Sequence, residues 1–190
     1  MMLQLPSGQG FGFTAPGTTG RAHGPVAVLL LLIGTVTFSA CSRHGDSHGP
    51  PTPVANLQLQ MLDGTVFSLA SYRDNSIIVL DFWATWCPPC LEELPIMARL
   101  YRTYRDRGII FCAVNQQEPQ QQVRSFVERI KLELPVALDL EGKAARLFEV
   151  ASLPTVVIID RQGIVHHVEI GFHPGTESIL KSHLDTLLER

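Results

Sequence analysis

From Leu57 onward the chain alternates between short, nearly continuous apolar runs and longer stretches in which apolar residues recur at helical spacing. Leu57 to Leu62 and Thr65 to Leu69 flank Asp63-Gly64, a dipeptide suited to the positive backbone angles of a tight turn, which predicts an opening β-hairpin. Ile77-Ile78-Val79-Leu80-Asp81-Phe82-Trp83 is almost wholly apolar and β-branched, the pattern of a central strand covered on both faces, and Asp81 is its one charge. Leu91, Leu94, Met97, Ala98 and Tyr101 then fall on one helical stripe, so a helix runs to about Arg107 and Gly108 ends it. A strand over Ile109 to Val114, a helix over Pro119 to Lys131, a strand over Pro135 to Leu138 and a short helix over Lys143 to Phe148 follow. Thr155 to Ile159 and Ile164 to Ile170 read as strands joined by a turn at Asp160-Arg161-Gln162-Gly163, and Thr176 to Leu188 closes as an amphipathic helix.

Strands alternating with helices imply parallel crossovers, so the fold class is α/β, with a mixed central sheet sandwiched between helices. At 190 residues the chain can bury one sizeable core, expected over 56–190. No internal repeat is evident.

The segment before Ser42 has a different character. Arg21 and His23 precede the apolar run Val26 to Phe38, which closes on Ser39, Ala40 and Cys41 in the order of an export signal. The run is too short, and too diluted by Gly34, Thr35 and Thr37, for the roughly 20 apolar residues of a spanning helix. Small residues before a cysteine resemble a lipoprotein box, with Cys41 lipidated; ordinary cleavage near Ala40 is the alternative. We therefore assign residues 1–40 to a signal segment and 41–55 to a flexible linker rich in Gly, Pro, His and Ser. His44 and His48 in the linker have no cysteine or carboxylate cluster to complete a metal site. With 15 Lys and Arg against 18 Asp and Glu, the chain lacks a footprint for phosphate backbones, and no nucleic-acid partner is expected.

The chemistry concentrates in Trp83-Ala84-Thr85-Trp86-Cys87-Pro88-Pro89-Cys90, placed after a buried strand and before a helix. A helix N-terminus offers unpaired N–H groups and a positive dipole end, which favour ionisation of Cys87, and the thiolate is the form that attacks disulfides. Cys87 is thus the expected attacking thiol, accessible to substrate, and Cys90 the resolving one. Pro88 and Pro89 each remove a donor that could stabilise the thiolate, which points to a reducing pair. A structural disulfide or half of a zinc site are the competing readings, although no second cysteine pair is present. Cys112, in mid-strand, reads as a small buried hydrophobe.

With these residues in view, Asp81 to Cys90 together with Pro154 resembles the TlpA/ResA-like group of thioredoxin-fold proteins, in the redoxin (AhpC/TSA-related) family. The likeness extends from about Asn56 to Arg190, through Glu93-Leu94-Pro95 and a strand-helix insertion at Pro135 to Phe148. It implies a thioredoxin-like three-layer sandwich. It also implies that the peptide before Pro154 is cis, that Pro154 keeps metals from the thiols, and that Leu153 and the adjoining backbone meet substrate beside Pro88 and Pro89. Residues alone allow an ordinary trans proline opening the strand. The resemblance places Asp81 beneath the resolving cysteine and Glu93 near the site. A carboxylate buried in an apolar strand has its proton affinity raised, which suits it to accept the proton of Cys90, while local capping of Asp81 and solvation of Glu93 are the alternatives. Trp83 reads as core and Trp86 as substrate-facing surface; His166, His167, His173 and His183 read as strand or surface residues without ligand spacing.

The implied activity is thiol-disulfide exchange with protein thiols and disulfides, apocytochrome c among them, in the periplasm or on the extracytoplasmic face. A membrane electron donor and an N-terminal anchor are expected, with no cofactor, no metal and a monomeric state. A thiol peroxidase acting through Cys112 and a non-catalytic metal-binding or chaperone module are the rival classes.

Overall fold

The structure, a computed structural model, describes residues 56–190. The expected signal segment and linker, with Cys41, His44 and His48, lie outside the described residues. Strands β1 (Gln58–Met61) and β2 (Val66–Ser68) form the N-terminal hairpin, with Leu59 opposite Phe67. Its turn differs from the tight two-residue form expected. The Gly64 N–H donates to the Met61 carbonyl, and only Gly64 (φ 92°) takes a left-handed conformation, while the Asp63 carboxylate accepts from the backbone and hydroxyl of Thr65. Asp63 therefore acts through its side chain, leaving the left-handed position to glycine.

Strand β3 (Ile77–Trp83) is buried at every position. It pairs in parallel with β4 (Ile109–Gln116), which pairs in parallel with β5 (Val136–Asp139). Between them run helix α1 (Pro88–Tyr104), ended through a short 3-10 turn at Gly108 (φ 80°), and helix α2 (Gln120–Ile130). Helix α3 (Lys143–Leu147) leads to β6 (Thr155–Ile159) and β7 (Val165–Ile170), and α4 (Thr176–Leu188) closes the chain. The sheet order is β2-β1-β5-β4-β3-β6-β7, with β1 antiparallel to β5, β6 antiparallel to β3 and β7 antiparallel to β6. Strand β4 outruns its expected end because Asn115 and Gln116 find partners in Leu138 and Asp139. Strand β7 starts one residue late because the Asp160 carboxylate accepts from the N–H groups of Gln162 and Ile164 and holds Ile164 in the turn.

Alternation along β3 divides the core in two. Ile77, Val79 and Trp83 join residues of α1, α2 and α4 on one face, while Ile78, Leu80 and Phe82 pack with Leu69 and α3 on the other. The two layers of helix around a mixed sheet are those of the thioredoxin-like sandwich. Phe82 is fully buried in the second layer, so Phe82→Ala would cost about 3–5 kcal/mol. Asp81 has the parity of Val79 and Trp83, which turns its carboxyl toward α1. Among the described residues, no helix is long and apolar enough to cross a membrane.

Candidate active site

The end of β3 delivers the chain to α1 through Ala84-Thr85-Trp86, and Cys87 is the N-cap of that helix, with extended backbone (φ −95°, ψ 101°). Pro88 and Pro89 occupy the first two helical positions, where a missing N–H leaves no helical bond unmade. The first free amide is that of Cys90, and it donates to Cys87 Sγ at 3.3 Å. One backbone donor thus faces Cys87 Sγ, together with the dipole of a 17-residue helix.

Cys87 and Cys90 are joined by a disulfide with Cα atoms 5.3 Å apart. The sequence leads one to expect an accessible Cys87; in this oxidised state the residue is only 3% exposed and Cys90 1%. The disulfide holds both sulfurs against the apolar layer that contains Trp83, Ala84 and Leu94, and this is why the thiol side chain does not project. Around it, Pro88 and Pro89 are exposed and Trp86 is 66% exposed, an aromatic face beside a covered disulfide.

Leu153 packs against the same layer as the two cysteines. The Leu153–Pro154 peptide is cis, and Pro154 is buried. Because Phe82 pairs with Thr155, Pro154 falls beside Trp83, at the sheet end from which the cysteine loop leaves. Its carbonyl accepts from the Gly171 N–H at 2.8 Å.

Asp81 and Glu93 are both buried, and their four carboxyl oxygens find no hydrogen-bond partner among the described residues other than one another. Neither local capping of Asp81 nor solvation of Glu93 describes what is found. Glu93 lies three positions after Cys90, just under one turn along α1, and reaches the face of β3 that Asp81 also faces. Burial pushes the proton affinity of Asp81 up, and that of Glu93 rises through burial and then through the charge of Asp81. Two such carboxyls sharing a dry site titrate as a unit and hold a proton between them well above the usual carboxylate range.

A further buried acid, Glu118, escapes the sequence reading. Glu118, in the loop between β4 and α2, accepts from the Thr85 N–H (2.7 Å) and hydroxyl (2.5 Å), from Asn115 Nδ2 (2.7 Å) and from Gln122 Nε2 (2.6 Å). It ties the loop before Cys87 to the neighbouring strand and helix. Thr85 and Glu118 are 33 residues apart, and no periodicity links them. Only the pair Asn115 and Glu118, two polar residues following a buried run, hinted that the strand end carries a network.

Cys112 is fully buried in β4, where desolvation pushes its thiol up to about 12. That environment removes it as a peroxidatic nucleophile. The histidines depart from their expected isolation: His166, His167 and His183 lie against one another, and His167 and His173 both meet Glu169, because β7 and α4 pack together.

A helix N-cap cysteine disulfide-bonded to the cysteine three residues on, at the end of the central strand of this sheet and beside a cis proline, defines a thioredoxin-fold thiol-disulfide oxidoreductase. Comparison with known proteins agrees. The chain belongs to the AhpC/TSA family, whose family model matches residues 50–168. It is 36% identical over 129 residues to the thiol-disulfide oxidoreductase ResA of Geobacillus thermodenitrificans, covering 68% of this chain and 72% of that protein. The crystal structure of a thiol:disulfide interchange protein of the thioredoxin family from Chlorobium tepidum superposes with a TM-score of 0.64 at 27% identity, over 74% of this chain and 98% of the other. StoA from Bacillus subtilis gives a TM-score of 0.61 at 27% identity, over 71% and 99%.

Proposed function

We propose that the chain is an extracytoplasmic reductase of protein disulfides in which Cys87 attacks and Cys90 resolves. The observation that carries this reading is the placement of Cys87 at the N-cap of α1, with the Cys90 N–H on its sulfur and a buried acid pair one turn further on. In the reduced protein, the Cys87 thiolate attacks one sulfur of a client disulfide; that S–S bond breaks, a mixed disulfide forms and one client thiol is released. Cys90 then gives its proton to the Asp81–Glu93 pair and attacks Cys87 Sγ, freeing the second client thiol and leaving the Cys87–Cys90 disulfide. Two electrons pass from the chain to the client, and a membrane electron donor returns them.

Exposed Trp86, Pro88 and Pro89, with Leu153 and Pro154 at the adjoining edge, form the surface on which the client lies in this reading. The resemblance to the TlpA/ResA group supports apocytochrome c, before haem attachment, as the client. The export pattern ahead of Cys41 supports action outside the cytoplasm on an N-terminal lipid anchor. The test is a Cys90→Ser variant expressed in the native cell. It should accumulate mixed disulfides through Cys87, and mass spectrometry names the clients; a variant that traps none, with reduced wild type failing to reduce insulin disulfides, would refute the proposal.

A further inference from the structure

Strand β7 is the outer strand of the sheet, and of its residues only Glu169 is buried, at 9% exposure. A carboxylate at a buried position of an edge strand is costly without partners, and Glu169 has two. Its Oε2 lies 2.9 Å from His167 Nε2 and its Oε1 2.6 Å from His173 Nε2. His167 stacks on His183 of α4 with ring centroids 3.8 Å apart, and His183 Nδ1 is 3.4 Å from His166 Nε2.

The register ties this group to the active site. Glu169 pairs with Val156, and Val156 pairs with Asp81, so the three form one row across β7, β6 and β3. Directly paired residues share a face, and Val156 belongs to the layer covered by α1 and α4. Two strand spacings separate the ends of the row, about 10 Å. Three carboxyls therefore face the same layer: Asp81 and Glu93 without partners other than one another, and Glu169 clamped by imidazoles.

We propose that Glu169, held between His167 and His173, is a positioning residue for the dithiol chemistry: its carboxylate, in one row with Asp81 and facing the same layer as Glu93, acts electrostatically on the Asp81–Glu93 pair and through it on the resolving step. The inference rests on the proposed role of the acid pair in taking the Cys90 proton. Burial raises the proton affinity of Glu93 most, the charge of Asp81 and a hydrogen bond with it come next, and the charge of Glu169 adds a smaller share. Burial alone would raise Glu169 as well, but the hydrogen bonds from His167 and His173 outweigh it and keep Glu169 below its ordinary range, hence ionised. The outer imidazoles behave differently. Burial depresses His183, with His167 and His166 adding to the effect, and burial and Arg190 depress His166 against the opposing pull of Asp160. A unit charge at about 10 Å in a partly buried setting moves a neighbouring group by roughly one pH unit.

The experiment follows the resolving step alone, release of client thiol from a preformed mixed disulfide on Cys87 of the full chain, between pH 5 and 9. Glu169→Gln should move the rise in rate to lower pH by roughly one unit, because a like charge has gone. A merely structural role would lower the rate without moving the midpoint. A midpoint unmoved by Glu169→Gln, while Glu93→Gln abolishes the inflection, overturns the inference and spares the acid pair. Persistence of the inflection in both Glu93→Gln and Asp81→Asn overturns the pair's role and the inference together.

Discussion

Asp81 of β3 and Glu93 of α1 share a buried site on the face that carries the Cys87–Cys90 disulfide, and neither carboxyl has a hydrogen-bond partner among the described residues other than its neighbour. Such a pair is retained at a cost to stability, and that cost depends on pH with a definite sign. In the unfolded chain both groups lose their protons near pH 4. In the native state both are raised by burial, so above pH 4 the pair holds more protons folded than unfolded, and its contribution to stability falls as pH rises. Asp81→Asn and Glu93→Gln should each be more stable than the parent at pH 8, by about 1–3 kcal/mol, and nearly equal to it at pH 4. Urea titrations of parent and variants at the two pH values measure this; a difference between them that fails to grow from pH 4 to pH 8 contradicts it.

The same carboxyls should separate the two halves of the reaction. Glu93→Gln and Asp81→Asn leave the attack of Cys87 on a model disulfide unchanged within a factor of about three, and slow release of the mixed disulfide by roughly 10²-fold. Rapid-quench analysis with mass detection of the mixed disulfide resolves the two steps.

Glu118 holds the loop before Cys87 through four hydrogen bonds from Thr85, Asn115 and Gln122. Glu118→Ala would leave Asn115 Nδ2 and the Thr85 N–H without their acceptor in a largely buried site, at a cost of about 2–4 kcal/mol. Thr85→Val removes one bond and should cost less, about 1 kcal/mol. Thermal denaturation of the three proteins tests the order parent, Thr85→Val, Glu118→Ala.

Cys112 is too buried to ionise at neutral pH, its thiol being pushed up to about 12. Cys112→Ala should reduce disulfides at the parental rate and lose at most about 1 kcal/mol of stability. The parent should consume no hydrogen peroxide that Cys112→Ala spares; a difference between them in a peroxide assay would restore the peroxidase reading.

The sequence was most legible where local rules suffice. The β-branched run Ile77–Trp83 could only be a covered strand, and Gly108 and the apolar stripe from Leu91 bound α1 closely. Cys87 and Cys90 stood out because a strand led into them and a helix followed. What depends on register was hidden. That Asp81, Val156 and Glu169 share a row follows from pairing β3 with β6 and β6 with β7, which no local pattern encodes. His166, His167 and His183 look unrelated in the chain and meet because α4 returns over β7. The burial of Cys87 was misread because a helix N-terminus suggests exposure, whereas the disulfide turns the sulfur toward Trp83 and Leu94.

The account stands on the ionisation of Cys87 once the disulfide is reduced. Iodoacetamide modification of the reduced full chain, followed by peptide mass spectrometry as a function of pH, reads it directly. Cys87 should be alkylated before Cys90, with a midpoint at least one unit below the value of about 8.5 for a free cysteine. Alkylation of Cys90 first, or a Cys87 midpoint at the free-cysteine value, would contradict the assignment of Cys87 as the nucleophile.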